Sequence, residues 1–519
     1  VNIAALLTDQ ARVRGNAAAI IERAGVTTFA QIDEHVRRAA AMLRERGIRA
    51  GDAVLIFQPM SAALYTALLA VFRLGATAMF LDPSAGRAHI EACCALSPPR
   101  ALVALPRAHL QRLASGALRR IAVKFSTGCW IPGAGRWSDL EKCAPLDEVA
   151  PVADDTPALL TFTSGSTGQP KAAVRTHGFL IEQHRVLARS IALEAGEVDL
   201  ATLPIFTLAN LASGVTSLIP DCDLRRPGDI EAAPVLHQIR KHRATRCAAS
   251  PAFFERLLAA DDGTLSAMRK VFTGGAPVFP NLLAALREKM PGARVEAVFG
   301  STEAEPIAHI EEREVSAADR EAMRAGRGLL TGEPEPEISL RILRAEWGAP
   351  LAPMNADDFA ARCLPAGEHG EIVVSGGHVL PGYLHGHGDA ETKFRVDGRV
   401  WHRTGDAGWL DERGRLWLLG RCSARVSDAR GTLWPFTVEC AARLHPLVCR
   451  AALLGVSGRR ILFIEANVPG ESINSESLGL DWAQLDEVRA ASAIPMDKRH
   501  NAKVDYVALR ALLEGRAGR

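Results

Sequence analysis

The chain has 519 residues, more than one hydrophobic core ordinarily serves, so two or more packed units are expected. With 48% hydrophobic and 23% charged residues it has the make-up of a globular protein, which excludes a collagen-like, disordered or disulfide-scaffold chain. Its 61 Lys and Arg against 59 Asp and Glu leave a net charge of +2, too small to point to nucleic acid or an acidic membrane, so the expected ligand is a small molecule.

Ten cysteines are scattered along the chain, and the one close pair, Cys93 and Cys94, is adjacent rather than in the Cys-x-x-Cys spacing of a metal knuckle. Free thiols in a reducing compartment are expected. The first residues, Val1-Asn2-Ile3, carry no basic region leading into an apolar stretch, and the most apolar run, 62–81, is broken by Arg73 and Gly75. A cytoplasmic protein without a membrane span is predicted.

In chain order, residues 31–46 read as an amphipathic helix, 52–57 as a short apolar strand and 62–74 as a buried helix. Further strands are predicted at 101–105, 158–162, 201–203, 246–250 and 295–299, an alternation that implies layered α/β sheets with covering helices. Between Gly370 and Gly420 the pattern shifts to short glycine-punctuated β runs, 371–375 and 416–419, and a small β-rich subdomain is expected there. A helix at 436–444, strands at 451–456 and 461–466 and a basic tail follow. The domain junction is placed at Gly420-Arg421, giving a large domain 1–420 and a small α+β domain 421–519.

The strongest chemical signal is Leu160-Thr-Phe-Thr-Ser-Gly-Ser-Thr-Gly-Gln-Pro-Lys171, an apolar strand entering a Ser/Thr/Gly loop that ends in lysine. Glycines let backbone approach a polyphosphate closely, hydroxyls and amides donate to its oxygens, and lysine supplies charge. Thr163, Ser164, Gly165, Ser166, Thr167, Gly168 and Lys171 are therefore candidate phosphate ligands. The loop is not a Walker A sequence, because Gln169-Pro170 follows Gly168.

This loop resembles the phosphate-binding signature of the adenylate-forming superfamily of acyl-CoA synthetases, luciferases and peptide-synthetase adenylation domains. Further matches follow in order along nearly the whole chain. Gly274-Gly275-Ala276-Pro277 is similar to the loop lining the adenine and acyl pocket, and Val298-Phe-Gly-Ser-Thr-Glu303 to the aromatic-Gly-x-Thr-Glu motif. His402-Arg-Thr-Gly-Asp406 with Gly420-Arg421 resembles the ribose-binding and hinge region, and 494–503 the segment carrying the catalytic lysine, here Lys503. The resemblance implies ATP and Mg2+ as cofactors, with Gly275, Ala276, Phe299, Gly300, Asp406 and Arg421 at the nucleotide and Lys503, Thr302 and Glu303 catalytic. Glu303 offers a hard oxygen to magnesium, with Thr167 as a second candidate ligand, and Asp406 can accept from both ribose hydroxyls. A lysine between an attacking carboxylate and the α-phosphate offsets their repulsion, opposite charges at ~4 Å being worth roughly 4 kcal/mol at an effective dielectric of 20.

Three segments narrow the resemblance: 203–221, Pro306-Ile-Ala-His309-Ile after Glu303, and Arg499-His-Asn-Ala-Lys503, all similar to the β-lactone synthetases of bacterial olefin biosynthesis, the OleC group. The implied reaction forms an acyl-adenylate from a 3-hydroxy acid, then lets the acid's own hydroxyl displace AMP to close a β-lactone. In the hinge, Ser423 stands where Asp or Lys is common, and Thr437 where a Pro-x-Glu-x-Glu pattern places glutamate. These departures weaken the case for the domain rotation that a thioester-forming enzyme needs. An acyl-CoA or acyl-carrier-protein ligase is the alternative, and a non-catalytic acyl or nucleotide sensor a more distant one. The candidate acyl-pocket walls are 206–214, Phe253-Phe254 and 305–310. His177, His309 and His500 are either ligand contacts or structural histidines, and a complex with pathway enzymes is a further expectation.

Overall fold

A computed structural model of the chain describes residues 1–81, 86–164, 170–344, 346–466, 473–497 and 503–513. It divides into two compact units, residues 1–221 with 377–390 and residues 222–376 with 391–519.

In the first unit, parallel strands run in the order Gly135–Arg136, Val123–Ser126, Ala101–Ala104, Ala53–Phe57, Thr77–Phe80 and β1 (Pro157–Ser164), and β2 (Pro170–Thr176) adds antiparallel to β1. The strands are nearly continuous apolar runs because both faces are covered. Helix Phe29–Glu45 packs Phe29, Ile32, Val36, Ala40 and Leu43 into this core, and a capping box of Thr28 and Gln31 fixes its start. Helix Ala62–Arg73 and strand Thr77–Phe80 account for the most apolar run. No helix among the described residues is long and apolar enough to cross a membrane. The strand expected at 201–203 lies instead at Val198–Ala201. Pro204 opens helix Pro204–Ser213, so residues 202–203 become the connection into it.

In the second unit, strand Arg246–Ala249, β3 (Lys270–Gly274) and β4 (Arg294–Ser301) are parallel. Antiparallel strands continue from β4 through β5 (Ala304–Glu311), β6 (Leu329–Pro334), β8 (Leu416–Arg421) and β7 (Arg399–Leu410) to Gly370–Ser375 and Ser339–Leu343. The β-rich subdomain predicted for 370–420 is the latter part of this series.

Beyond residue 425, helix α1 (Pro435–Arg443), strands β9 (Val448–Val456), β10 (Arg459–Ala466) and β11 (Glu487–Ala490), and helix α2 (Tyr506–Leu513) follow. Alternation along β9 and β10 sends Leu453, Leu462 and Ile464 to one apolar cluster with Val438 and Ala441, and Ala452, Leu454, Ile461 and Phe463 to another with Ile494 and Leu509. This segment touches the rest of its unit at several places, two of which involve aromatic rings. The Arg443 guanidinium lies 4.1 Å over the Phe279 ring, whose edge meets Phe436 at 6.0 Å. The Trp482 indole lies so close to Gly326 that a Cβ there would come within 2.3 Å of it.

Candidate active site

In the first unit, the β1–β2 hairpin sets Thr163 opposite Lys171 and Ser164 opposite Pro170. Gly165, Ser166, Thr167 and Gly168, and with them the second metal candidate, lie outside the described residues, as do the side chains of Thr163 and Ser164. Lys171 is half-buried on β2. Residues 377–390 belong to this unit and come against β2, Tyr383 bridging to Ala173. Gly388, at φ +103, lies over the lysine stem, so that a Cβ would fall 2.5 Å from the Lys171 Cδ. Only glycine allows this approach. His177 opens helix His177–Ser190, is 0% exposed and takes the Ile3 amide on Nδ1 at 3.3 Å. It is a core histidine.

In the second unit, β3 and β4 are so close that a Cβ on Gly274 would come within 2.5 Å of the Val298 carbonyl oxygen. Gly275 turns the chain at φ +78 with open space on its Cβ side, and Ala276 beside it is half-buried. Phe299 and Gly300 lie at the end of β4, both half-buried. Thr302 and Glu303 form the turn to β5, where the Glu303 amide donates to Ser301 Oγ at 3.2 Å.

Asp406 on β7 pairs in register with Arg421 on β8. Arg421 Nε is 3.4 Å from Asp406 Oδ1, and its Nη1 donates to the Thr404 carbonyl at 3.0 Å. The strand is pinned three residues earlier, where Arg403 and Glu371, each 1% exposed, pair at 2.6 Å. Burial raises the Asp406 carboxyl above its ordinary value; Arg421 and Lys503 pull it down and Glu303 pushes it up. His402, 3% exposed, holds the Thr392 carbonyl at 3.1 Å through Nδ1, and burial lowers it to about 3, so it stays neutral.

Lys503 reaches this group from the far end of the chain. Its amide donates to Asp497 Oδ1 at 2.9 Å and its carbonyl accepts from the Asp497 amide at 2.7 Å, while Met496 and Val504 pair as a short bridge. Lys503 keeps an exposed surface, yet the protein atoms around it lower its ammonium below the ordinary value, as does Arg421, against Asp406, Asp497 and Glu303. Glu303, Asp406, Arg421 and Lys503 thus act on one another electrostatically, two carboxylates facing two cations. This is a place where negative charge can be received and balanced.

Sequence reasoning missed Asp497, which fixes the Lys503 backbone, and the Arg403–Glu371 pair beneath Asp406. Both lie in or beside quoted motifs, but their roles come from hydrogen bonds that spacing does not reveal. Phe253 and Phe254, candidate pocket walls, are 0% and 1% exposed and pack against each other edge to face at 6.3 Å, which makes them core residues. His309 Nδ1 stands 3.2 Å from the buried Glu335 carboxylate, which raises the imidazole, and near Glu296 on β4. His500 lies outside the described residues.

The chain is 33% identical over 501 residues to an olefin β-lactone synthetase of Stenotrophomonas maltophilia, covering 92% of this chain and 89% of the relative. It is 32% identical over 515 residues to an olefin β-lactone synthetase of Xanthomonas campestris pv. campestris, with the same two coverages. Its fold matches that of ATP-bound MatB from Rhodopseudomonas palustris with a TM-score of 0.81 at 23% identity, covering 99% of both chains. The pattern describing AMP-binding enzymes matches residues 7–384. With the motifs in order, the fold shared along its length and a full-length likeness to two β-lactone synthetases, this chain belongs to the AMP-binding enzyme family.

Proposed function

We propose that the enzyme uses ATP to activate a 3-hydroxy carboxylic acid as its acyl-adenylate and then closes it to a β-lactone. The observation that carries the reading is the Asp406–Arg421 pair at 3.4 Å, with Glu303 and Lys503 both acting electrostatically on Asp406. The full-length likeness to two olefin β-lactone synthetases directs the second step toward cyclisation rather than thioester formation.

In the first step a carboxylate oxygen attacks the α-phosphorus of ATP and the bond to pyrophosphate breaks. Lys503 lies between two anions as they approach, which lowers the barrier by charge compensation. Asp406 and Arg421 hold the ribose, Phe299 offers its ring face to adenine, and Gly275 and Ala276 line the nucleotide with backbone. Gly300 lets the end of β4 pack closely on β5, where a Cβ would come 3.1 Å from the Ala304 carbonyl oxygen, beside the nucleotide proposed to lie there. Thr163, Ser164, Gly165, Ser166, Thr167, Gly168 and Lys171 hold the phosphates, and Thr302 donates its hydroxyl to them. Magnesium fits Glu303, because a magnesium ion that accompanies a nucleotide is held by one or two carboxylates plus phosphate oxygens. Thr167 is the second residue proposed to hold it; the bound ion would offset phosphate charge. In the second step the substrate's 3-hydroxyl oxygen attacks the acyl carbon, loses its proton, and AMP leaves. Tethering favours this attack over any external nucleophile, against the strain of a four-membered ring.

Residues 1–420 are proposed as the domain for ATP and acid, and 421–519 as a mobile domain bringing Lys503. Support comes from the two apolar clusters drawn entirely from residues 426–513. A cytoplasmic location and a complex with enzymes that supply the acid belong to the same reading.

The test incubates the enzyme with ATP, magnesium and 3-hydroxy acids of several lengths, with and without coenzyme A, and identifies products by mass spectrometry and NMR. The expected products are a β-lactone, AMP and pyrophosphate without any thiol. A thioester formed only with coenzyme A would replace cyclisation by acyl-CoA ligation.

A further inference from the structure

Helix α1 carries Glu439, whose side chain is buried at 1% exposure and does no work in the chemistry described above. Its Oε1 accepts two hydrogen bonds, from the Leu453 amide of β9 at 2.9 Å and from the Tyr506 hydroxyl at 2.8 Å. Tyr506 begins α2, three residues after Lys503. One oxygen therefore ties α1, β9 and the start of α2 at a single point. Burial raises the Glu439 carboxyl to about 7, which the two donors oppose.

We infer that Glu439 and Tyr506 are positioning residues for Lys503, an inference that rests on the catalytic reading of that lysine. The lysine is held on its N-terminal side by Asp497, through the amide and carbonyl contacts described above. On its C-terminal side the Asp505 amide donates to the Pro495 carbonyl at 2.9 Å, and Asp505 Oδ1 caps α2 through the Ala508 amide at 2.9 Å. These bonds fix the backbone of the lysine relative to its own strand and helix only. Ile494 and Leu509 already seat this small assembly on β9 and β10, and the Ile494 amide donates to Glu465 Oε2 at 3.0 Å. The Tyr506–Glu439 bond adds the polar tie to α1, and because a phenol has a rigid reach it sets the Lys503 backbone against that helix. Charge compensation in a transition state depends steeply on such placement.

The test uses Tyr506→Phe and Glu439→Gln in the full chain, with adenylation followed by ATP–pyrophosphate exchange and cyclisation followed from a supplied acyl-adenylate. Tyr506→Phe is expected to lower kcat for adenylation about tenfold with KM for ATP unchanged, and to leave cyclisation of the supplied adenylate at its original rate. Glu439→Gln retains an acceptor oxygen and should lose less. In a Lys503→Ala background, Tyr506→Phe should cost nothing further, because the residue it positions is gone. Equal losses in both steps, or losses that add in the double variant, would make the pair merely structural and overturn the inference. Full adenylation by Lys503→Ala alone would overturn it together with the role of the lysine, a result the same assay reads separately.

Discussion

Asp406 sits against Arg421 at 3.4 Å in the same field as Lys503, so its removal takes away the two ribose contacts proposed for it and leaves the two cations without that carboxylate. Hydrogen bonds to a charged group are each worth about 1.5–3 kcal/mol. Asp406→Ala should therefore weaken ATP binding by about 100–10,000-fold in calorimetry. Unchanged affinity would remove Asp406 from the nucleotide site. Gly388→Ala makes a different kind of demand. The new Cβ would come 2.5 Å from Lys171 Cδ at φ +103, and the flexible lysine end is what can yield. A left-handed conformation costs a non-glycine residue about 1–2 kcal/mol, so a small fall in Tm should accompany a several-fold loss of ATP affinity. Loss of stability with intact affinity would separate Gly388 from the phosphate-binding role proposed for Lys171. Lys171, Glu303, Asp406 and Lys503 stand out in the sequence as candidates because each lies in a short contiguous motif. Glu439 ends the Pro-x-Glu-x-Glu pattern in which Thr437 replaces the first glutamate, but its bond to Tyr506 was not legible, since it spans 67 positions.

Helix His177–Ser190 starts on a histidine that is 0% exposed, and burial lowers its imidazole to about 4. The unfolded chain would take up that proton near pH 6.5. Between about pH 6.5 and 4 the unfolded state therefore binds more protons, and stability falls as pH drops, by up to about 1.4 kcal/mol per pH unit for this one group. Urea unfolding at pH 7.5, 6 and 5 should show that loss, and His177→Asn should flatten it. Equal slopes in the two proteins would mean that another group carries the acid sensitivity. At this scale the sequence was a good guide: the helices at 31–46 and 62–74 and the strands at 52–57, 101–105 and 295–299 correspond to elements that differ by a residue or two at their ends. The strand at 201–203 was displaced because Ala201-Thr-Leu203 next to a proline reads equally well as the end of a strand or the entry to a helix.

The chain's two compact units are discontinuous in sequence, residues 377–390 joining the first, and no linear reading of composition anticipates that return. The C-terminal segment has its own apolar clusters and touches the rest of its unit through Arg443 on Phe279 and on Glu255, the latter at 3.6 Å. Arg443 is 15% exposed on its side chain, a setting in which a cation over an aromatic ring is worth about 0.5–2 kcal/mol. Arg443→Ala should speed amide hydrogen exchange in residues 435–513 while leaving 222–420 as before. Uniform acceleration across both would mean that the arginine supports the whole unit rather than this contact. The second contact, Trp482 on Gly326, lends itself to optical measurement. Its indole is 39% exposed and rests on a glycine that belongs to the other side of that contact. Lifting the C-terminal segment would carry this ring from a protein surface into water and shift its emission to longer wavelength. The protein thus contains its own fluorophore for testing the proposed movement in a stopped-flow cell, without a dye or an added cysteine.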